Sequence, residues 1–157
     1  MLLSLNKKMI TLNSVAIFFV FIDRLLKIYA NSQLFGEKIT LIRGVFFFEL
    51  VKNQNIAFSL PLSGVWVNIL IFLVLGLILG IIIKNGRKIG INGTFLLYIF
   101  LGGLSNLADR IRFGSVIDYF HLNHFTVFNL ADMMITFGVF GILLANFKQI
   151  YNKEAKN

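Results

Sequence analysis

The sequence contains no cysteine, a single proline and a single tryptophan, and only 14% of its 157 residues are charged. The absence of cysteine excludes disulfides, a thiolate nucleophile, thiolate metal sites and lipid attachment to cysteine in this chain. The low charge content, together with 57% apolar residues and 18 phenylalanines, is untypical of a soluble domain of this length. The composition therefore indicates an integral membrane protein.

Four apolar stretches are long enough, or nearly so, to cross a bilayer as helices, which takes about 20 residues. They run over residues 9–30, 65–83, 89–108 and 127–147. The first begins after Lys7 and Lys8, as a secretory signal would, but it runs into charged residues from Asp23 onward without a convincing small-residue cleavage site. We therefore predict a retained first helix within one membrane-embedded domain, residues 1–157.

The basic side chains flank the apolar runs and do not form a basic face. The net charge of +8 therefore does not make nucleic acid an expected partner. With an even number of spans, eight of the fifteen cations fall on one side: Lys7, Lys8, Lys84, Arg87, Lys88, Lys148, Lys153 and Lys156. This bias predicts cytoplasmic termini and a cytoplasmic middle loop, with residues 31–64 and 111–126 facing outward.

The outward segment 31–64 includes the stretch Ile-Thr-Leu-Ile-Arg-Gly-Val-Phe-Phe-Phe-Glu-Leu-Val, which is rich in β-branched and aromatic residues. Such a composition favours short strands. Because an exposed sheet edge cannot lie in lipid, we expect a small extracytoplasmic sheet at the interface or on the protein. The expected fold is thus an all-α membrane bundle with a small β element. In the second span, Gly76 and Gly80 form a GxxxG pattern that allows close helix packing.

Four of the seven acidic residues are aspartates at the outer ends of spans or between the third and fourth spans. An ionised carboxylate there costs several kcal/mol unless it is paired, hydrated or protonated. Asp23 has Lys27 one helical turn later, in the favourable order of acid before base. Asp109 is followed by Arg110 and Arg112. For these two aspartates we expect structural ion pairs.

Asp118 and Asp132 have no Lys or Arg within a helical turn. If the short connection between them brings them together in a low-dielectric site, one carboxyl holds a proton while the other stays ionised. Such a pair can activate a water and polarise a carbonyl, as in aspartic peptidases. A proton relay in a small transporter or channel subunit would have the same spacing, and a scaffold with structural ion pairs is a third alternative.

Other polar residues are weaker candidates. Asn106 and Asn129 each precede an aspartate by three residues, where an amide can orient the carboxylate or simply cap a helix. His121 and His124 are spaced i, i+3, but without a third strong ligand we predict no metal site. A Ser–Lys dyad would need one of two serines beside one of two lysines, and nothing in the sequence places them together: Ser59, Ser63, Lys27 and Lys52.

The polar motifs together resemble the bacterial lipoprotein signal peptidases, also called signal peptidase II. Asp23-Arg-Leu-Leu-Lys27 is similar to the family's Asp-Gln-x-x-Lys, and Asn53-Gln-Asn-Ile-Ala-Phe-Ser59 to its Asn-x-Gly-x-Ala-Phe-Ser. Ser105-Asn-Leu-Ala-Asp-Arg110 and Gly114-Ser-Val-Ile-Asp118-Tyr-Phe resemble Gly-Asn-x-x-Asp-Arg and Gly-x-Val-x-Asp-Phe. Phe128-Asn-Leu-Ala-Asp132 matches Phe-Asn-x-Ala-Asp. The motifs occur in the family's order and cover most of the chain.

The resemblance implies a four-helix enzyme of the bacterial inner membrane with its active site near the outer face. It implies removal of the signal peptide from diacylglyceryl-modified prolipoproteins just before the lipidated cysteine, without a cofactor, by a monomer in contact with membrane lipid. Asp118 and Asp132 would be the catalytic pair. Seven residues would support the site or contact substrate: Asp23, Lys27, Asn53, Asn106, Asp109, Arg110 and Asn129. Globomycin would be the expected inhibitor.

The chain departs from the family pattern at four positions. Arg24 replaces the usual Gln, Asn55 and Ser105 replace Gly, and Tyr119 replaces Phe. None of these is a member of the implied catalytic pair. The departures favour a divergent member of the family with an altered substrate or inhibitor preference.

Overall fold

The protein is a bundle of four apolar helices with a small sheet at one end. The computed structural model describes residues 7–32, 38–54, 65–85 and 90–154. The helices are α1 (Lys7–Ala30), α2 (Val65–Asn85), α3 (Ile91–Phe113) and α4 (Leu130–Glu154). Each contains a stretch long and apolar enough to cross a membrane, with mean hydropathy between 1.4 and 2.9. The four predicted spans are therefore confirmed.

Six of the eight helix boundaries differ from those predicted, by two to seven residues, and two of these differences bear on the site. Helix α3 continues past the predicted end at residue 108 to Phe113, where Gly114 adopts φ of 69° and its N–H donates to the carbonyl of Arg110. The helix continues through charged residues because Asp109 is paired with side chains of α1, so the charge does not mark the helix end. The fourth helix begins at Leu130, three residues later than predicted, because the preceding residues form a strand.

The sheet has four antiparallel strands in the order β1 (Ile39–Ile42), β2 (Phe46–Asn53), β3 (Val116–Leu122) and β4 (Thr126–Phe128). The strands predicted within residues 31–64 are confirmed as β1 and β2. The second pair of strands, from residues 111–126 and just beyond, was not predicted. Strands β2 and β3 pair across the two connecting segments, with Val51 opposite Asp118. One sheet thus joins the α1–α2 and α3–α4 connections.

The sheet packs on the helix ends through a small apolar core formed by Ala30, Phe48, Ile117 and Tyr119. Most large apolar side chains of α2 point away from the protein, and among its described residues only Val67 and Leu75 are buried. Such outward-facing apolar surface is what a helix presents to lipid. Seven of the eight buried polar side chains among the described residues lie instead towards the sheet end of the bundle, and the eighth, Thr94, lies in the first turn of α3.

The closest approaches of a described glycine to the backbone of another helix occur between α3 and α4 and do not involve the GxxxG pattern of α2. A methyl group at Gly102 would lie 2.6 Å from the carbonyl oxygen of Ala131, and one at Gly138 would lie 2.6 Å from that of Phe95. Gly76 and Gly80 have open space around them. The prediction that these two glycines allow close helix packing is therefore wrong within the described residues. The GxxxG spacing contains no information about which helix, if any, lies opposite.

Candidate active site

Four charged side chains form a buried cluster between α1 and α3. Lys27 Nζ lies 3.1 Å from Asp23 Oδ2 and 2.7 Å from Asp109 Oδ2, and all three side chains are fully buried. Arg24 Nη1 lies 2.6 Å from Asp109 Oδ1. The predicted Asp23–Lys27 pair is confirmed. The prediction that adjacent arginines pair with Asp109 is wrong, because its ion-pair partners come from α1.

Asn106 links this cluster to Asp132. Its carbonyl oxygen Oδ1 accepts from Lys27 Nζ at 2.8 Å and from Asn129 Nδ2 at 3.2 Å. Two donors at this oxygen fix the orientation of the amide, so that Nδ2 donates to Asp132 Oδ1 at 2.8 Å. Asn106 therefore orients a carboxylate, as the spacing allowed, but the carboxylate belongs to α4 and not to Asp109.

Asp132 lies in the first turn of α4, where Asn129 is the N-cap. The Asp132 N–H donates to Asn129 Oδ1 at 2.9 Å, and the Asn129 N–H donates back to Asp132 Oδ2 at 3.2 Å. This reciprocal arrangement is a capping box, and the helix N-terminus stabilises negative charge on Asp132. The two alternatives for Asn129, orienting a carboxylate or capping a helix, therefore both hold.

Asp118 reaches the same asparagine from the sheet. Asn129 Nδ2 donates to Asp118 Oδ1 at 2.7 Å, and Asn53 Nδ2 donates to Asp118 Oδ2 at 3.0 Å. Burial, and after it the negative charge of Asp132, raise the pKa of Asp118 from its ordinary value of 3.8 to about 7, against the two amide hydrogen bonds. Asn129 thus contacts both aspartates.

Arg110 is a cation that interacts with the two aspartates. It interacts electrostatically with both Asp118 and Asp132, and its Nη1 donates to the carbonyl oxygen of Gln54 at 3.4 Å. Gln54 follows the end of β2, so this contact joins the sheet to α3. All nine residues singled out from the sequence therefore lie in one connected site.

Three contacts in this site were not predicted, and each involves a residue that departs from the family pattern. Ser105 Oγ donates to Asp23 Oδ2 at 2.7 Å, and the Tyr119 hydroxyl donates to Asp23 Oδ1 at 2.9 Å. Arg24 pairs with Asp109 as described above. Each departure adds a donor to a buried carboxylate. The fourth, Asn55, lies outside the described residues.

The two histidine candidates lie in the sheet and in its last turn. His121 contacts Glu49 and the ring of Phe47, and His124 lies in the β3–β4 turn with φ of 61°. Lys27 is held by carboxylates and Lys52 is exposed. Both serines of the considered dyad, Ser59 and Ser63, lie outside the described residues.

Four membrane-crossing helices, with two carboxylates that share Asn129 where the bundle meets a small sheet, define a class of multi-pass membrane proteins with a polar site at one end of the bundle. Comparison with known proteins narrows this class. The family described as signal peptidase (SPase) II matches residues 15–148, and the chain belongs to this family. It is therefore a protease and a multi-pass protein of the bacterial inner membrane.

Individual relatives agree with this assignment. The chain is 34% identical over 128 residues to a lipoprotein signal peptidase of Clostridioides difficile, covering 79% of this chain and 86% of the relative. It is 41% identical over 141 residues to a lipoprotein signal peptidase of Gloeothece citriformis, covering 85% and 86%. A solved structure of a bacterial membrane enzyme, determined by the in meso method at 2.3 Å resolution, superposes with a TM-score of 0.76 at 28% identity, covering 91% of each chain.

Proposed function

We propose that this signal peptidase II removes the signal peptide from diacylglyceryl-modified prolipoproteins just before the lipidated cysteine, as an aspartic endopeptidase with Asp118 and Asp132 as its catalytic pair. The observation that carries the assignment of the pair is the shared partner: Asn129 donates to Asp118 through its amide and to Asp132 through its backbone N–H. The names of the curated relatives support the substrate class.

In the proposed mechanism Asp118 holds the proton and Asp132 is ionised. The raised pKa of Asp118 favours its protonated form near neutral pH, and the N-terminus of α4 favours the negative charge on Asp132. Asp132 takes a proton from a water whose oxygen attacks the peptide carbonyl carbon. Asp118 gives its proton to the carbonyl oxygen, so that a tetrahedral diol forms.

Collapse of the diol completes hydrolysis and restores the pair. Asp132 gives the proton from the water to the leaving nitrogen as the carbon–nitrogen bond breaks, and Asp118 recovers its proton from the diol hydroxyl. Asn53, Asn106 and Asn129 hold the carboxylates in place throughout. Arg110, next to the end of β2, is the proposed contact for substrate carbonyl groups.

The proposal places this end of the bundle at the outer face of the membrane, where a translocated prolipoprotein presents its cleavage site. The distribution of cations in the sequence supports that orientation. The relay function of a transporter has no support from the comparisons, whose curated relatives carry the name of a peptidase.

The test is a cleavage assay with purified protein and a lipid-modified prolipoprotein. We expect the wild type to release the smaller product and the variants Asp118→Asn and Asp132→Asn, folded to the same extent, to lose activity by at least about a thousandfold, because neither can complete the proton transfers. Glu49→Gln is the matched control: the same chemical change in a carboxylate that contacts Lys38 and His121 on the sheet should leave activity unchanged. Full activity in either aspartate variant would refute the pair.

A further inference from the structure

We propose that the hydroxyl group of Tyr119 is a positioning group for Asp132: it connects the buried Asp23 carboxylate to the first turn of α4 and thereby fixes where Asp132 stands. The inference rests on the proposed role of Asp132.

The Tyr119 hydroxyl has two partners on two different elements. It donates to Asp23 Oδ1 of α1 at 2.9 Å and accepts from the Leu130 N–H of α4 at 2.9 Å. Burial, and next the charge of Asp23, raise the pKa of the phenol, so it remains a protonated donor. One hydroxyl therefore joins α1, β3 and α4 in a fully buried place.

The first turn of α4 is held by side chains from outside the helix. The N–H groups at the start of a helix have no partner within it. Here the N–H of Leu130 donates to Tyr119, and that of Ala131 donates to Asp23 Oδ1 at 3.2 Å. The next N–H is that of Asp132, which donates to Asn129. Two of the three groups that orient this turn therefore depend on Tyr119 and Asp23.

Asp23 in turn depends on the donors around it. Tyr119 and Ala131 donate to one carboxylate oxygen, while Ser105 and Lys27 donate to the other. Loss of the Tyr119 hydroxyl would leave the Leu130 N–H without its acceptor, and Asp23 Oδ1 would keep the Ala131 N–H as a donor. A buried polar group without a partner is unfavourable, so the turn that carries Asp132 would shift from its position.

The tyrosine ring makes the test clean, because Tyr119→Phe removes only the oxygen. The ring packs against Phe48 and Phe120, with centroids 5.4 Å and 4.7 Å away, and these contacts remain in the variant. Tyr98→Phe is the matched control. Tyr98 is also buried, but its hydroxyl donates to the carbonyl of Leu12, away from the carboxylate pair.

The experiment measures kcat and KM on a lipid-modified prolipoprotein, per folded molecule. We expect Tyr119→Phe to lower kcat about fivefold with KM unchanged within about twofold, since a misplaced Asp132 impairs chemistry more than binding. Tyr98→Phe should change neither. Ser105→Ala removes the other hydroxyl donor of Asp23, and the double variant should lose less than the product of the two single losses, because both act through one carboxylate.

An unchanged kcat in Tyr119→Phe, or equal losses in both tyrosine variants, overturns the inference. If Tyr119→Phe does not fold, Ser105→Ala tests the part of the connection that runs through Asp23: a lowered kcat with KM unchanged is expected, and an unchanged kcat overturns the inference. Activity that falls only with the folded fraction, at constant kcat per folded molecule, also overturns it. Asp118→Asn and Asp132→Asn separate the two proposals: if those variants are inactive while Tyr119→Phe equals the wild type, only the positioning role fails.

Discussion

The positive and negative charges of the buried ion cluster are equal in number. Asp23 and Asp109 carry two negative charges, and Arg24 and Lys27 carry two positive charges. Lys27 has three N–H donors and three acceptors, the two carboxylates and Asn106. A fully buried ion is tolerated only with this degree of pairing, since an isolated one costs several kcal/mol. The cluster is therefore a fixed support beside Asp132.

The raised pKa of Asp118 should lower the free energy of unfolding at neutral and alkaline pH. Its pKa is raised to about 7 in the folded protein, while the unfolded chain has the ordinary value of 3.8. The folded state thus binds the proton more tightly, and stability present below pH 4 is lost as pH rises towards 7, by up to about 1.4 kcal/mol per pH unit. Asn resembles the protonated acid at every pH. We expect Asp118→Asn to raise the melting temperature at pH 8 and to match the wild type near pH 4.

The measurement is thermal unfolding in detergent at several pH values. Glu49→Gln again serves as the control. Burial opposes, but hydrogen bonds from Lys38 and His121 hold the pKa of Glu49 below its ordinary value, so its ionised form is favoured and the amide should not stabilise the protein at high pH. A wild type as stable as Asp118→Asn at pH 8 would contradict the raised pKa of Asp118.

The sequence predicted site residues well where the partner lay on the same helix or in a known motif. Asp23 and Lys27 are one turn apart, so helical spacing alone predicts their contact. Asp109 has arginines beside it in sequence, yet its partners are 82 and 85 residues away in α1. Spacing along one chain segment contains no information about such a partner, and only the tertiary structure assigns it.

At the scale of elements, the contact between α3 and α4 sets the position of the site. Gly138 lets the backbone of α3 approach, and a methyl group there would meet Phe95 O at 2.6 Å and Ile99 Cγ1 at 2.5 Å. Backbone atoms at such distances must move, so Gly138→Ala should destabilise the protein by about 1–3 kcal/mol. Gly80 has nothing within 4 Å, and Gly80→Ala should be neutral or slightly stabilising.

Comparing the unfolding of these two variants measures the effect of close packing apart from that of helix propensity, because both replace a helical glycine by alanine. Equal stability of the two variants would contradict the close approach of α3 and α4 at Gly138.

The elements also differ in how far the sequence predicted them. Long apolar runs predicted all four helices, because burial in lipid demands length and apolarity in each helix separately. Strands β3 and β4 were not predicted. Strand β3 is stabilised by pairing with β2, which lies far earlier in the sequence; Val51, for example, lies opposite Asp118. That pairing places Asp118 next to Asn53, so the site could not be derived from either connecting segment alone.

At the scale of the whole molecule, the absence of cysteine permits a direct test of orientation. Phe125, 78% exposed in the β3–β4 turn, and Tyr151, 66% exposed near the end of α4, lie at opposite ends of the last helix. The cation distribution predicts that Phe125 faces outward and Tyr151 faces the cytoplasm. Because the sequence contains no cysteine, each of the single variants Phe125→Cys and Tyr151→Cys has one thiol, at a known position.

We expect a membrane-impermeant thiol reagent added to intact spheroplasts to label Phe125→Cys, and to label Tyr151→Cys only after the membrane has been permeabilised. The opposite pattern would reverse the topology and would place the carboxylate pair on the cytoplasmic side, out of reach of a translocated substrate.

The four donors to Asp23 come from four different elements: Lys27 of α1, Ser105 of α3, Tyr119 of β3 and Ala131 of α4. The last of them is made 108 residues after Asp23. During synthesis the first helix therefore enters the membrane with a carboxylate that has only Lys27 beside it, and this carboxylate acquires its full set of donors only when α4 is in place. Asp132 arrives in that same turn, so assembly of the ion cluster and assembly of the proposed catalytic pair are completed in one step.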